Sequence, residues 1–185
     1  MELYEESLKV NWEVGNKISI ADTMLNVGNV LLLQGDFSEA EKIIEESIGI
    51  VNDINAKGYI IASINFSLGR LAFIKKEYEK AGKYFYENLI SNMNAGSIRE
   101  IAIIIIRITE LNIETENFKP AATLLGFVKN YSEFNKIYFP DSEQKVFDES
   151  VLKLKEKYNE EEFLKYFEEG KLMTLEQAVE IAIFL

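Results

Sequence analysis

Hydrophobic residues recur along this chain at spacings of three and four, which is the pattern of helices with one apolar face. One such run extends from Ile20 to Leu31 and stops at the turn sequence Gln-Gly-Asp of residues 34–36. Ser38 follows, with Glu41 three residues later, and this spacing predicts a capping box at the start of a second helix. The pattern therefore predicts a pair of antiparallel helices joined by a tight turn.

The predicted helix pair is repeated about every 40 residues. Gly28 of the first helix is matched by Gly69, which lies 41 positions later. In the second helix Ala40 is matched by Ala81 at the same distance and then by Ala121, 40 positions further on. We expect these small residues to let the two helices of each pair approach closely, because glycine and alanine leave space at a helix crossing. Such a repeat is typical of a solenoid of stacked units.

The repeat predicts an all-α fold, namely an α-α superhelix of antiparallel helix pairs that occupies residues 1–140. The third pair is degenerate, since Thr109 replaces the expected glycine. Residues 3–8 match residues 43–48, so the first helix corresponds to the second half of a unit. We therefore expect the chain to be a fragment of a longer protein, with an unusual half-repeat cap as the alternative. The predicted division is a half-repeat at 1–17 and units at about 18–57, 58–96 and 97–140.

A C-terminal helical capping region is predicted for residues 141–185, because an exposed terminal repeat needs a polar cover. Gly170 is expected to end one of its helices. Three pairs of residues have the spacing of a capping box at a helix start: Asp141 with Gln144, Asn159 with Glu162, and Thr174 with Gln177.

Composition narrows the possible functions. The net charge of −11 disfavours direct binding to nucleic acid or to an anionic membrane surface. The chain has no histidine and no cysteine, so the commonest general base and the commonest soft metal ligands are missing. The apolar run Ile101–Ile108 is far shorter than the ~20 residues of a membrane-spanning helix. We expect a cytoplasmic protein that is not an enzyme and has no catalytic site, no cofactor and no metal.

The repeat residues given above resemble those of tetratricopeptide repeats, and this resemblance implies that the first helices line the inner groove and carry the candidate binding residues. Asparagine amides in the groove could pair with the backbone of an extended peptide, and Arg70 could bind a carboxylate through two hydrogen bonds. The alternative is that the phenylalanines pack between helices and that Arg70 is a surface charge. The predicted groove residues are Asn26, Asn29, Leu33, Phe66, Arg70 and Phe73.

The sequence also resembles a known group of proteins. The repeat residues resemble tetratricopeptide repeats of longer than usual period. The segments at 121–126, 163–170 and 174–179, with Pro140 between them, are similar to the C-terminal end of large bacterial regulators. These are signal-transduction ATPases and transcription activators of the MalT and LuxR type. The resemblance implies a non-catalytic sensor or scaffold that binds a protein or peptide partner, or the upstream domains of the same polypeptide.

Two other functions remain open from the sequence. The chain could be a structural oligomerisation segment that forms a homodimer, since the face left by the missing half-unit is expected to be exposed. Alternatively, the superhelix could enclose an apolar pocket and sense a small-molecule inducer.

Overall fold

The computed structural model describes residues 2–183 and confirms the prediction of an all-helical protein. Helices make up 85% of the structure, and no strand occurs within the described range. The ten helices of this range pack in pairs. Their bounds are α1 Glu2–Val14, α2 Lys17–Gln34, α3 Phe37–Asp53, α4 Tyr59–Ile74, α5 Tyr78–Ala95, α6 Ile98–Glu114, α7 Phe118–Phe134, α8 Asp141–Lys157, α9 Glu160–Lys171 and α10 Leu175–Ile183. Each described helix is too short or too polar to cross a lipid bilayer.

The chain divides into two compact units, and the boundary between them in the sequence falls within α5. Unit 1 covers Met1–Ser91 and unit 2 covers Asn92–Leu185. This division follows spatial packing, whereas the predicted boundary at residue 140 follows the sequence repeat. The division into repeats and cap therefore stays a prediction.

In unit 1, glycines of the first helices make room for large side chains of the second helices. A Cβ atom at Gly28 would lie 2.8 Å from Cγ1 of the fully buried Ile44. A Cβ atom at Gly69 would lie 2.4 Å from Cδ1 of Phe85, which is also buried. The glycine and the side chain that it accommodates are each 41 positions further along the chain in the second helix pair. The two helix pairs of unit 1 therefore share the same internal packing.

A hydrogen bond between the paired helices recurs with the same offset. Ser47 donates from Oγ to the backbone oxygen of Ala21 over 2.9 Å. Asn88, which lies 41 positions after Ser47, donates from Nδ2 to the backbone oxygen of Ala62 over 2.8 Å. Both bonds are buried, where an unpaired polar side chain would be costly. They fix the position of each second helix along the axis of its first helix.

The turns between helices also repeat in their backbone conformation. Each helix from α1 to α7 is followed by a residue in the left-handed region, where φ is positive. Glycine adopts this conformation without cost, and other residues pay about 1 kcal/mol or more. The residues after α1, α3, α5 and α7 are Gly15, Asn55, Gly96 and Lys136, and those after α2, α4 and α6 are Gly35, Lys76 and Glu116. Within each series these residues are 40 or 41 positions apart. The left-handed conformation therefore recurs at the same position of the repeat even where the residue is not glycine.

Two predicted helix starts are displaced. Ser38 does not cap α3, because Gly35 reverses the chain at once and Asp36 is already the last residue before the helix. Oδ1 of Asp36 accepts the bond from the backbone nitrogen of Glu39 over 3.4 Å. Likewise α8 begins at Asp141 itself, and Pro140 occupies the capping position.

The other two predicted caps of the C-terminal region are confirmed. Asn159 accepts a hydrogen bond from the backbone nitrogen of Glu162 over 2.9 Å. Thr174 and Gln177 each accept a bond from the other's backbone nitrogen, which is a complete capping box.

Gly170 does not end a helix, contrary to the sequence prediction, because α9 continues to Lys171. It lies instead where α9 crosses α7 in unit 2. A Cβ atom there would lie 1.9 Å from the backbone oxygen of Thr123, and one at Gly126 would lie 1.8 Å from that of Phe167. The backbones of α7 and α9 are therefore in direct contact through a glycine from each helix.

Unit 2 also contains a buried charge cluster that joins α6 to α8. Nη2 of Arg107 donates to Oε1 of Glu143 over 2.6 Å, and Nη1 donates to Glu110 over 3.0 Å. Burial alone would lower the pKa of Arg107, but the two carboxylates raise it above its ordinary value. A buried charge is stable only when it is paired in this way. Helix α10 completes the unit by packing against α6 and α7.

We expect Gly126→Ala to destabilise the protein by about 3 kcal/mol, because the new methyl group would have to separate two backbones. Gly49→Ala is the matched control, since Gly49 is exposed within α3 and has open space around it. The free energy of unfolding of the control is expected to rise by up to about 1 kcal/mol, because alanine has a higher helix propensity than glycine. Urea denaturation followed by circular dichroism measures both changes. Equal stabilities for the two variants would contradict the tight crossing.

Candidate functional site

The predicted groove residues lie along α2 and α4, which pack against each other in unit 1. Asn26 and Leu33 are exposed, and Leu33 retains 57% of its accessible surface. Asn29, Phe66 and Phe73 are partly buried, whereas Arg70 is only 8% exposed. We call the surface formed by α2 residues 22–33 and α4 residues 59–73 the α2–α4 face.

Asn29 and Arg70 are brought together at the centre of this face. Nη1 of Arg70 donates to Oδ1 of Asn29 over 3.1 Å and to its backbone oxygen over 3.4 Å. Nδ2 of Asn29 donates in turn to Oγ of Ser67 over 2.9 Å. Asn29 and Arg70 are 41 positions apart, so they are the same position in consecutive repeats. Their contact holds neighbouring first helices together.

Aromatic rings border this polar cluster. The guanidinium carbon of Arg70 lies 5.9 Å from the ring centroid of Phe66, within the range of a cation–π interaction. The ring of Phe73 lies 5.8 Å from that of Tyr78 at the start of α5. Phe66 and Phe73 therefore make contacts within unit 1 in addition to their partial exposure. Whether Arg70 also binds the carboxylate of a partner stays a prediction.

An acidic end of the α2–α4 face was missed by the sequence analysis. Burial raises the pKa of Asp22, and a hydrogen bond from Ser63 opposes that shift. Burial also raises the pKa of Tyr59, as does the nearby charge of Asp22. Asp22 and Ser63 are separated by 41 positions, like Asn29 and Arg70. The repeat offset is therefore the signal that could have identified this pair from the sequence.

Charge and polarity change along the α2–α4 face from one end to the other. The carboxylate of Asp22 lies at the first end, and the amides of Asn26 and Asn29 follow it along α2. Leu33 and Phe73 make the opposite end apolar. Such a surface can pair with peptide backbone through the exposed amide of Asn26 and can bind an apolar side chain at Leu33. Within the described residues, no group of acidic side chains is arranged to hold a metal ion.

A second exposed surface lies on α1. Leu3, Val10 and Val14 are 82%, 50% and 74% exposed. Their spacings of seven and four residues place them on one side of the helix. On another side, Asn11 donates to Oγ1 of Thr23 over 3.1 Å and so faces α2. The apolar stripe of α1 is therefore not covered by α2.

Comparison with known proteins gives no direct guide to function. No protein family matches the chain, and no curated protein or solved structure has significant similarity to it. The resemblance to bacterial regulators thus rests on the sequence segments alone.

We expect the contact between Asn29 and Arg70 to stabilise unit 1. Asn29→Ala and Arg70→Ala should each lower the free energy of unfolding by about 1–2 kcal/mol, because each leaves a polar partner unsatisfied. The loss of unfolding free energy in the double variant should be smaller than the sum of the losses in the two single variants. Urea denaturation of all four proteins measures the coupling. Additive losses would contradict a direct contact between these side chains.

Proposed function

We propose that the chain is a non-catalytic protein-interaction module built from tetratricopeptide-like helix pairs, and that its α2–α4 face binds an extended peptide segment. The bond between Asn29 and Arg70 carries this proposal. It holds two consecutive first helices together, so that exposed Asn26 and Leu33 of α2 and partly buried Phe66 and Phe73 of α4 belong to helices that pack against each other. Binding surfaces gain affinity when their groups are held in place before the ligand arrives.

Recurrent packing supports the repeat class. The contacts of Gly28 with Ile44 and of Gly69 with Phe85 are equivalent, as expected for stacked copies of one helix pair. Stacked pairs commonly offer an extended surface for a partner chain. The wider role, as a cytoplasmic sensor or scaffold in a bacterial signalling or transcription regulator, is supported by the resemblance of the C-terminal segments.

The chemistry of the face indicates which peptides would bind. The half-buried carboxylate of Asp22 favours a basic residue at one end. Asn26 offers an amide donor and an acceptor to the peptide backbone. Leu33 favours an apolar side chain at the other end. A segment with a basic and a hydrophobic residue separated by extended backbone therefore fits best.

A phage library of random peptides tests this function without knowledge of the natural partner. We expect the wild-type chain to enrich peptides that pair a basic with an apolar residue. Asn26→Ala/Leu33→Ala should weaken their binding about tenfold or more, because it removes backbone pairing and apolar contact from exposed positions. Isothermal titration with one enriched peptide measures the loss.

Glu46→Ala/Asp53→Ala is the control, since both residues are exposed on α3. It should bind like the wild type. Peptides that bind equally to the wild type and to the α2 double variant would place the binding surface elsewhere.

Homodimerisation is a second candidate, favoured by the apolar stripe of α1. Val10 and Val14 are at least half exposed and lie on the same side as Leu3. A second copy would remove this stripe from water. Sedimentation should then show a dimer that dissociates on dilution, and Val10→Lys/Val14→Lys should be monomeric at every concentration. A wild-type chain that stays monomeric at high concentration would exclude this role.

A further inference from the structure

A pocket of about 310 Å³ lies within unit 2, at the junction of α7 and α8. The end of α7 forms one wall, the loop of residues 135–140 forms the second, and the first turns of α8 form the third. The apolar side chains that line it are Ile137, Tyr138, Phe139 and Phe147, and the polar ones are Lys129, Ser132, Glu133, Lys136 and Gln144. This volume is at the lower end of ligand sites, so it suits one bulky side chain better than a cofactor.

The loop is held in a defined conformation. Lys136 is in the left-handed region with a φ of 55°, and its nitrogen donates to the backbone oxygen of Glu133. The nitrogen of Ile137 donates to the backbone oxygen of Ser132 over 2.9 Å. Helix α8 is fixed in turn by the bond of buried Glu143 to Arg107. The walls of the pocket are therefore set by the fold and do not depend on a ligand.

Two exposed aromatic side chains belong to the segment of the chain that forms the pocket. Tyr138 lines the pocket and is 87% exposed. Phe134, in the last turn of α7, is 83% exposed and lies outside the lining. A small molecule inside the pocket would not reach Phe134. An occupant that covers both rings must be longer than the pocket, and exposed aromatic residues of this kind are typical anchors of protein interfaces.

The charges at the rim indicate the sign of the occupant. The positive charge of Lys129 is balanced by Glu133, whose Oε1 lies 2.9 Å from Nζ of the lysine. Lys136 has no carboxylate partner among the described residues. The chain as a whole is acidic, but at physiological salt its distant charges are screened beyond about 8 Å. Among the residues that line the pocket Lys136 is therefore the unbalanced charge, and it favours a carboxylate.

We propose that this pocket is a second peptide-binding site, separate from the α2–α4 face, and that it takes a segment with one large aromatic or aliphatic residue next to an acidic residue. The bulky side chain fills the space between Ile137, Phe139 and Phe147. The acidic residue pairs with Lys136. The peptide backbone crosses the rim and covers Tyr138 and Phe134. The proposal rests on unit 2 alone and does not depend on binding at α2 and α4.

Three acetylated and amidated tripeptides test the proposal by titration of backbone amide resonances. The first has tryptophan between two glutamates, the second has tryptophan between two lysines, and the third has alanine between two glutamates. We expect saturable shifts in residues 129–147 with the first. The second should bind about fivefold more weakly, as an exposed ion pair has a modest effect. The third should give no saturable shift.

Lys136→Glu should abolish the preference for glutamate over lysine. Lys76→Glu is a matched control, because Lys76 is also exposed and also in the left-handed region, but belongs to unit 1. Phe134→Ala/Tyr138→Ala should weaken binding of the first peptide at least fivefold, whereas Leu172→Ala, at an equally exposed position, should not.

Equal affinity for the glutamate and lysine peptides would overturn the proposed chemistry. Absence of saturable shifts in residues 129–147 up to the solubility limit would overturn the site. Shifts confined to residues 22–33 and 59–73 would support the α2–α4 face and count against this pocket.

Discussion

Close contact between helices at glycine is the constraint on which each unit depends. In unit 1 the absence of a side chain at Gly28 and Gly69 leaves the space that Ile44 and Phe85 fill. In unit 2 the absence of a side chain at Gly126 and Gly170 lets the backbones of α7 and α9 come into contact. A helix that packs so closely cannot slide or rotate without collision. The side chains beside these crossings are therefore held at fixed positions, and this includes the polar residues that make the candidate site.

The repeat offset explains why certain polar side chains meet. Residues at the same position of consecutive pairs are neighbours in unit 1, as Asn29 and Arg70 show. Asp22 and Ser63 are a second pair with the same offset. A polar residue on a first helix can thus bond to its own counterpart in the next repeat. The centre of the α2–α4 face serves stability in this way, while its exposed margins at Asn26 and Leu33 are available to a ligand.

Much of the helical structure follows from the sequence, because apolar spacing and turn residues are local signals. Asn159 and Thr174 were found as caps for this reason. Ser38 and Asp141 were misplaced by one or two residues, since glycine or proline just before a helix changes where the backbone turns. Gly170 was taken as a helix end because a crossing between α7 and α9 is not visible in a local pattern. Ser67 and the pocket beside Lys136 depend on tertiary contacts, and for the same reason no spacing rule indicated them.

The position of α10 has a consequence for how the protein folds as it is made. In unit 1, α2 contacts helices that are adjacent or next but one along the chain. Such a unit can assemble progressively while it leaves the ribosome, since each helix finds a partner that was made shortly before. In unit 2, α10 returns to pack on α6 and α7, and its residues Ala178 and Val179 are buried. The part of the core of unit 2 that α10 covers is therefore completed only after this helix has been made, and until then that part of α6 and α7 stays exposed.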